Sequence, residues 1–136
     1  MRWFVILLVT LAGCDTASPA FRGIEPVRIT VGKSVFAIRV KENRAEAIRL
    51  NPEWAPRIDA VAPRAVAAIE KVSGCEVIRL DGDQALMVAR LKCGKAGQPM
   101  EVMPGRIEYD CDIEDAYGGR VKDARIAEMT CTARSY

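Results

Sequence analysis

Apolar and polar residues alternate along seven segments of the chain, the pattern of β-strands that bury one face and expose the other. Short clusters of turn-forming residues, Gly32-Lys33-Ser34 and Lys41-Glu42-Asn43, separate the first three segments. Strands joined by such short turns pair antiparallel, so these three segments predict a meander. The seven segments are residues 27–31, 35–40, 44–50, 76–80, 85–92, 107–113 and 127–134.

A helical pattern follows the third strand. Asn51 as a capping residue and Pro52 at the first helical position predict that the helix begins there, and Gly74 predicts its end. Pro63 interrupts the pattern, so we expect a kinked or split helix. The fold class predicted is α+β, a largely antiparallel sheet with this helix packed on one face. The apolar positions of the helix are 58, 61, 62, 65, 68, 69 and 72.

Length, composition and charge indicate one ordinary globular domain. The chain has 136 residues, of which 50% are hydrophobic and 28% charged. A disordered chain has fewer apolar residues and a larger net charge. The net charge of +2 comes from mixed cations and anions, whereas nucleic-acid-binding domains gather Lys and Arg on one face. We therefore expect no nucleic-acid partner.

The first fourteen residues have the layout of an export signal. Arg2 precedes an apolar run from Trp3 to Leu11, which is too short for a transmembrane helix of about 20 residues. The sequence Leu11-Ala12-Gly13-Cys14 resembles the lipobox of bacterial lipoproteins. The resemblance implies cleavage before Cys14, a thioether-linked diacylglycerol on its sulfur, and fatty acylation, for instance by palmitate, of the freed amine. The alternative is an ordinary signal peptide cut later, for instance after Ala20.

The resemblance defines an expected organisation. Residues 1–13 form the lipoprotein signal peptide, 14–24 the lipidated cysteine and a short tether, and 25–136 a single α+β domain. We expect this domain in the cell envelope, anchored to a membrane by lipid and facing the periplasm. Asp15 resembles the signal for retention in the inner membrane, and the outer membrane remains an alternative.

Four further cysteines remain after Cys14, an even number that suits an oxidising compartment. Four cysteines allow three pairings, and the positions of the predicted strands favour Cys75–Cys93 and Cys111–Cys131. Each bond would close a loop of roughly 20 residues and contribute about 3 kcal/mol. The chain has no histidine and no closely spaced cysteine pair, so we expect no metal site and no cofactor.

Few residues suggest catalysis. The lack of histidine excludes a Ser-His-Asp triad and a Cys-His pair, and no catalytic residue stands out. A row of alternating carboxylates offers a weak candidate site for Ca²⁺ or for a partner. The other interpretation of this row is a solvated sheet face balanced by Arg and Lys on adjacent strands. The four acids are Glu108, Asp110, Asp112 and Glu114.

Aromatic residues at element ends offer a second candidate surface, because such residues are enriched at binding hot spots. We expect instead that Trp54 packs the helix start onto the sheet and that Tyr117-Gly118-Gly119 is a flexible turn; Tyr136 is the third such residue. The leading hypothesis is a non-enzymatic envelope lipoprotein that binds another envelope protein or supports assembly. The alternatives are a lipoprotein that binds a small ligand or Ca²⁺, and a carboxylate-dependent hydrolase.

Overall fold

The computed structural model describes residues 16–94, 107–113 and 129–135. All seven strands expected from the alternating pattern are confirmed, with bounds within two residues of the expected ones. The elements are a 3-10 turn at Pro19–Phe21, β1 Val27–Val31, β2 Ser34–Lys41, β3 Arg44–Arg49, α1 Ile58–Ser73, β4 Glu76–Gly82, β5 Leu86–Lys92, β6 Ile107–Ile113 and β7 Met129–Ser135.

The strands form one seven-stranded sheet in the order β4-β5-β3-β2-β1-β6-β7. Strands β1 to β3 form the predicted meander. The sheet is nevertheless mixed, because β1 pairs with β6 in parallel. Strand β5 lies antiparallel between β3 and β4, so β3 and β4 run in the same direction and α1 is the crossover between them. The predicted class, a largely antiparallel α+β sheet, is confirmed.

Helix α1 packs on one face of the sheet, here called the helix face. Small side chains on the helix, such as Ala65 and Ala68, let its backbone approach the sheet closely, and both are fully buried. The sheet contributes Phe36, Ile38 and Met87, also fully buried. Burial of side chains of this size stabilises the fold by about 1.5–3 kcal/mol each. The helix face therefore holds the main hydrophobic core.

The helix begins later than the sequence predicted. Its first residue is Ile58, and the preceding Arg57 makes no capping hydrogen bond with its side chain. The expected start at Asn51 is wrong, because the Asn51 side chain bonds to the β1–β2 turn instead. Pro63 lies inside one continuous helix rather than at a split. Gly74 ends the helix as predicted, with φ 68° and its N–H bonded to the carbonyl of Glu70.

Two disulfides tie the outermost strand pairs. Cys75 precedes β4 and Cys93 follows β5, and their sulfurs are 1.99 Å apart. Cys111 and Cys131 face each other across β6 and β7, with sulfurs 2.03 Å apart. Both favoured pairings are present. Each outer strand of the described sheet is thus joined covalently to the strand beside it.

The sheet face opposite the helix, here called the N-terminal face, is crossed by residues 16–26. Phe21 is 1% exposed there, and the Arg44 guanidinium lies 6.0 Å from the centre of its ring. This distance allows a cation–π contact. The segment expected to be a tether therefore contributes its own buried aromatic residue to the domain.

A buried ion pair joins this segment to the sheet. The side chains of Arg39 and Glu46 are 7% and 0% exposed, with Nη1 and Oε1 3.5 Å apart. Glu46 also accepts a hydrogen bond from the Ser18 backbone N–H at 2.9 Å. Arg39 Nε donates to the carbonyl of Ile24 at 3.1 Å. Both charges thus bind the segment as well as each other.

Candidate functional site

The most exposed large apolar side chain of the described residues lies between β3 and α1, in a loop of residues 50–57, here called the Trp54 loop. The Leu50 N–H donates to the carbonyl of Val35 at 2.8 Å, so the loop leaves the sheet from a fixed point. Ala55 adopts φ 44°, a left-handed conformation that interrupts a right-handed helix. This conformation prevents a right-handed helix from running through the loop.

Asn51 holds the first half of the loop. Its side-chain oxygen accepts a hydrogen bond from the Val35 N–H at 2.7 Å, and its amide nitrogen donates to the carbonyl of Lys33 at 2.8 Å. Arg49 Nη1 donates to the Asn51 carbonyl at 3.1 Å. The loop is therefore fixed to the β1–β2 turn by side-chain and backbone groups.

Glu53 holds the second half of the loop through a charged network. Its carboxylate accepts a hydrogen bond from the buried Ser34 hydroxyl. Arg64 Nη1, on the helix, lies 3.3 Å from Oε2, and Arg49 Nη1 lies 3.7 Å from Oε1. The Glu53 side chain is 14% exposed. One carboxylate thus connects the loop, strand β2 and helix α1.

The environment of Glu53 favours its ionised form. Burial alone would raise the pKa of Glu53, but the hydrogen bond from Ser34 and the positive charges of Arg64 and Arg49 outweigh burial and lower it. A carboxylate held in this state is a structural anion rather than a proton donor near neutral pH. We conclude that the network fixes the loop.

Trp54 itself is 99% exposed, so the expectation that it packs the helix start onto the sheet is wrong. Its neighbours Asn51 and Glu53 make the contacts that fix the loop, which leaves the indole in solvent. Pro52 is exposed beside it, and Ile58 in the first turn of α1 is 37% exposed. Trp54 is the largest of the exposed apolar side chains in and just after the loop.

The acidic row lies elsewhere, on the N-terminal face of β6. Glu108, Asp110 and Asp112 do share one face, because alternate residues of a strand point the same way. Arg134 of β7 pairs with Asp110 at 2.8 Å. Glu108 lies opposite Arg28 in the register and 3.5 Å from the Thr30 hydroxyl. This arrangement matches the interpretation of a sheet face balanced by cations on adjacent strands.

Several residues singled out in the sequence lie outside the described residues: Cys14, Glu114, Tyr117 and Tyr136. Within residues 16–94, 107–113 and 129–135, no group of three or more acidic or cysteine side chains could hold a metal ion. No helix in the same residues is both long and apolar enough to cross a bilayer.

Sequence reasoning missed two ion pairs, Arg39 with Glu46 and Arg64 with Glu53. Arg39 and Glu46 are directly opposite each other in the β2–β3 hairpin, so counting outward from the turn at Glu42-Asn43 could have paired them. Glu53 and Arg64 come together only because the loop folds back on the helix. Nothing in the sequence spacing indicates that contact.

A scan of the chain against models of protein families gave no match. Searches of curated proteins and of solved structures likewise found no match.

Proposed function

We propose that this chain is a non-enzymatic envelope lipoprotein, anchored through lipid on Cys14, whose domain binds another envelope protein through the Trp54 loop. The observation that carries the proposal is an indole that is 99% exposed on a loop held by the contacts of Asn51 and Glu53. The lipobox Leu11-Ala12-Gly13-Cys14 supports the anchor and the periplasmic address. Asp15 favours the inner membrane.

The physical reason is that such a residue gains much from binding and loses little entropy. Tryptophan buries roughly 200 Å² when a partner covers it, and it is among the residues most enriched at hot spots worth at least about 2 kcal/mol. Binding usually costs free energy to order loops and side chains. The contacts of Asn51, Glu53 and Arg64 have already ordered this loop.

The alternatives have less support in the described residues. A Ca²⁺ site would need converging oxygens, whereas Asp110 is engaged by Arg134. A carboxylate-dependent hydrolase needs an acid with a raised pKa. The pKa of Glu53 is lowered, which is the opposite of that requirement.

The test compares two substitutions of exposed apolar residues in the full-length lipoprotein. Trp54→Ala removes the proposed contact, and Ile78→Ala is the matched control because Ile78 is 55% exposed on β4, away from the loop. Partners are first captured by crosslinking in intact envelopes. The purified partner is then titrated against each variant by calorimetry.

We expect Trp54→Ala to weaken the affinity at least about 30-fold, the equivalent of 2 kcal/mol. Ile78→Ala should leave it unchanged. Equal binding by both variants would remove the Trp54 loop from the proposal, and the absence of any specific partner would remove the proposal itself.

A further inference from the structure

We propose that the end of the sheet at Lys41, where residues 18–22 cross the N-terminal face, lies against the membrane surface. There its cations contact anionic phospholipid headgroups. The inference rests on the lipid anchor at Cys14 in the proposed function. It adds an orientation for the domain and a second contact with the bilayer.

This segment is part of the folded domain from Ser18 onward. The Ser18 N–H bonds to the fully buried Glu46 carboxylate, and the Ile24 carbonyl accepts from Arg39. Phe21 is buried between these two contacts. Because Ser18, Phe21 and Ile24 all contact the sheet, only the residues before Ser18 separate the folded domain from the lipid on Cys14.

The distance from the anchor to the domain is therefore short. Cys14 is four residues before Ser18, and an extended chain covers at most about 3.5 Å per residue. The lipid-bearing sulfur is thus held within roughly 14 Å of Ser18 plus the length of the cysteine side chain. The bilayer therefore comes within this reach of Ser18, whose partner Glu46 lies two residues from the Lys41 end of the β2–β3 hairpin.

Exposed cations surround that attachment. Arg22 follows the 3-10 turn, the Lys41 ammonium donates to the carbonyl of Ala20 at 3.2 Å, and the Arg44 guanidinium lies over Phe21. Arg90 is directly opposite Arg44 on β5. Glu42, in the hairpin turn, and the exposed Glu25 are the acids of this region. The acidic row of β6 runs from Glu108 toward the opposite end of the strands. The local excess of positive charge suits a surface of anionic lipids, which attracts cations within about 10 Å.

The Trp54 loop lies at the other end of the strands. Lys41 at the end of β2 contacts the N-terminal segment, whereas Ser34 at its start contacts Glu53 of the loop. Seven steps along a strand cover about 23 Å. The proposed orientation thus keeps the tryptophan out of the headgroup region and available to a protein.

Tryptophan fluorescence can test this orientation. The sequence contains two tryptophans, Trp3 and Trp54, so removal of the leader would leave Trp54 alone. The lipidated protein is reconstituted in vesicles of phosphatidylglycerol and phosphatidylethanolamine that contain a lipid with a nitroxide on its headgroup. Two further proteins carry Trp54→Phe together with Ala20→Trp or Ala85→Trp.

These two positions are matched in size and exposure but lie at opposite ends of the strands. The Ala20 carbonyl contacts Lys41, and the Ala85 carbonyl contacts the Arg49 N–H. We expect the nitroxide to quench the tryptophan introduced by Ala20→Trp strongly, and the other two weakly. Replacement of phosphatidylglycerol by phosphatidylcholine should reduce the quenching at the first position.

Equal quenching of all three proteins, with Cys14 acylated, would overturn the orientation and leave the binding role of Trp54 standing. Strongest quenching of Trp54 would overturn both, because the loop would then insert into lipid. Mass spectrometry that shows an unmodified Cys14 would overturn the anchor on which the orientation depends. Quenching that is the same in phosphatidylcholine would overturn the contact with anionic headgroups.

Discussion

Removal of Glu46 should destabilise the whole domain, because this carboxylate is 0% exposed and joins three parts of the chain. Glu46→Ala leaves Arg39 buried without its carboxylate and leaves the Ser18 N–H without its acceptor. Hydrogen bonds to charged groups contribute about 1.5–3 kcal/mol each. Breaking a buried ion pair from one side costs about 3–5 kcal/mol, and we expect a loss in that range.

Two measurements follow this loss. Urea unfolding gives the free energy of unfolding, and for a domain of this size 3–5 kcal/mol corresponds to a fall in Tm of roughly 10–20 °C. Limited trypsin digestion monitors the N-terminal segment, because Arg22 is exposed within it. Release of Ser18 should speed cleavage at this arginine.

The double variant Glu46→Leu with Arg39→Met separates the pair from its burial. Replacement of both charges by apolar groups should cost much less than Glu46→Ala alone, since neither buried charge remains. Glu25→Ala, at an exposed acid of the same segment, is the control and should change stability by less than about 0.5 kcal/mol. A loss below about 1 kcal/mol for Glu46→Ala, with unchanged trypsin cleavage, would refute the reasoning.

Three further outcomes are expected from particular residues. Cys75→Ser with Cys93→Ser opens a loop of separation 18 and should cost about 3 kcal/mol in urea unfolding; an unchanged midpoint would contradict this. Gly82→Ala places a Cβ against the Leu86 carbonyl oxygen at φ 124° and should cost more than about 1 kcal/mol, whereas Gly94→Ala, with nothing within 4 Å, should cost little. The pKa of Glu53 is lowered in the folded protein, so its contribution to the free energy of unfolding is fully present above about pH 4.3 and is lost as pH falls through the folded value. Glu53→Gln should therefore flatten this part of the acid unfolding profile. An unchanged slope would count against the network.

The strands could be predicted from the sequence because each depends on a local alternation and a nearby turn. The pairing of distant strands could not. Strand β1 lies beside β6 with 75 residues between Val31 and Ile107, and nothing in either strand specifies a parallel neighbour. The helix start was wrong for a related reason: the Asn51 side chain satisfies backbone groups of the β1–β2 turn, and this tertiary contact overrides its preference for a helix cap.

The candidate site was harder to predict than the fold. An exposed and a packed tryptophan look the same in a sequence, and their difference here depends on Glu53 reaching Ser34 and Arg64. Those three residues are 11 to 30 positions apart, so the contact follows from the path of the loop over the helix. The acidic row of β6, in contrast, was visible from its spacing, and its partner Arg134 had to come from β7.

The topology itself limits where a partner could bind. Helix α1 covers one face of the central strands, and residues 16–26 cross the other. The outer strand pairs of the described sheet are each closed by a disulfide. At the end of the strands remote from Lys41, the chain presents Trp54 on a loop that three ionic side chains already hold in place, and we expect a partner to bind there. A protein that binds there would approach from the side away from the anchor, so both contacts can form at once.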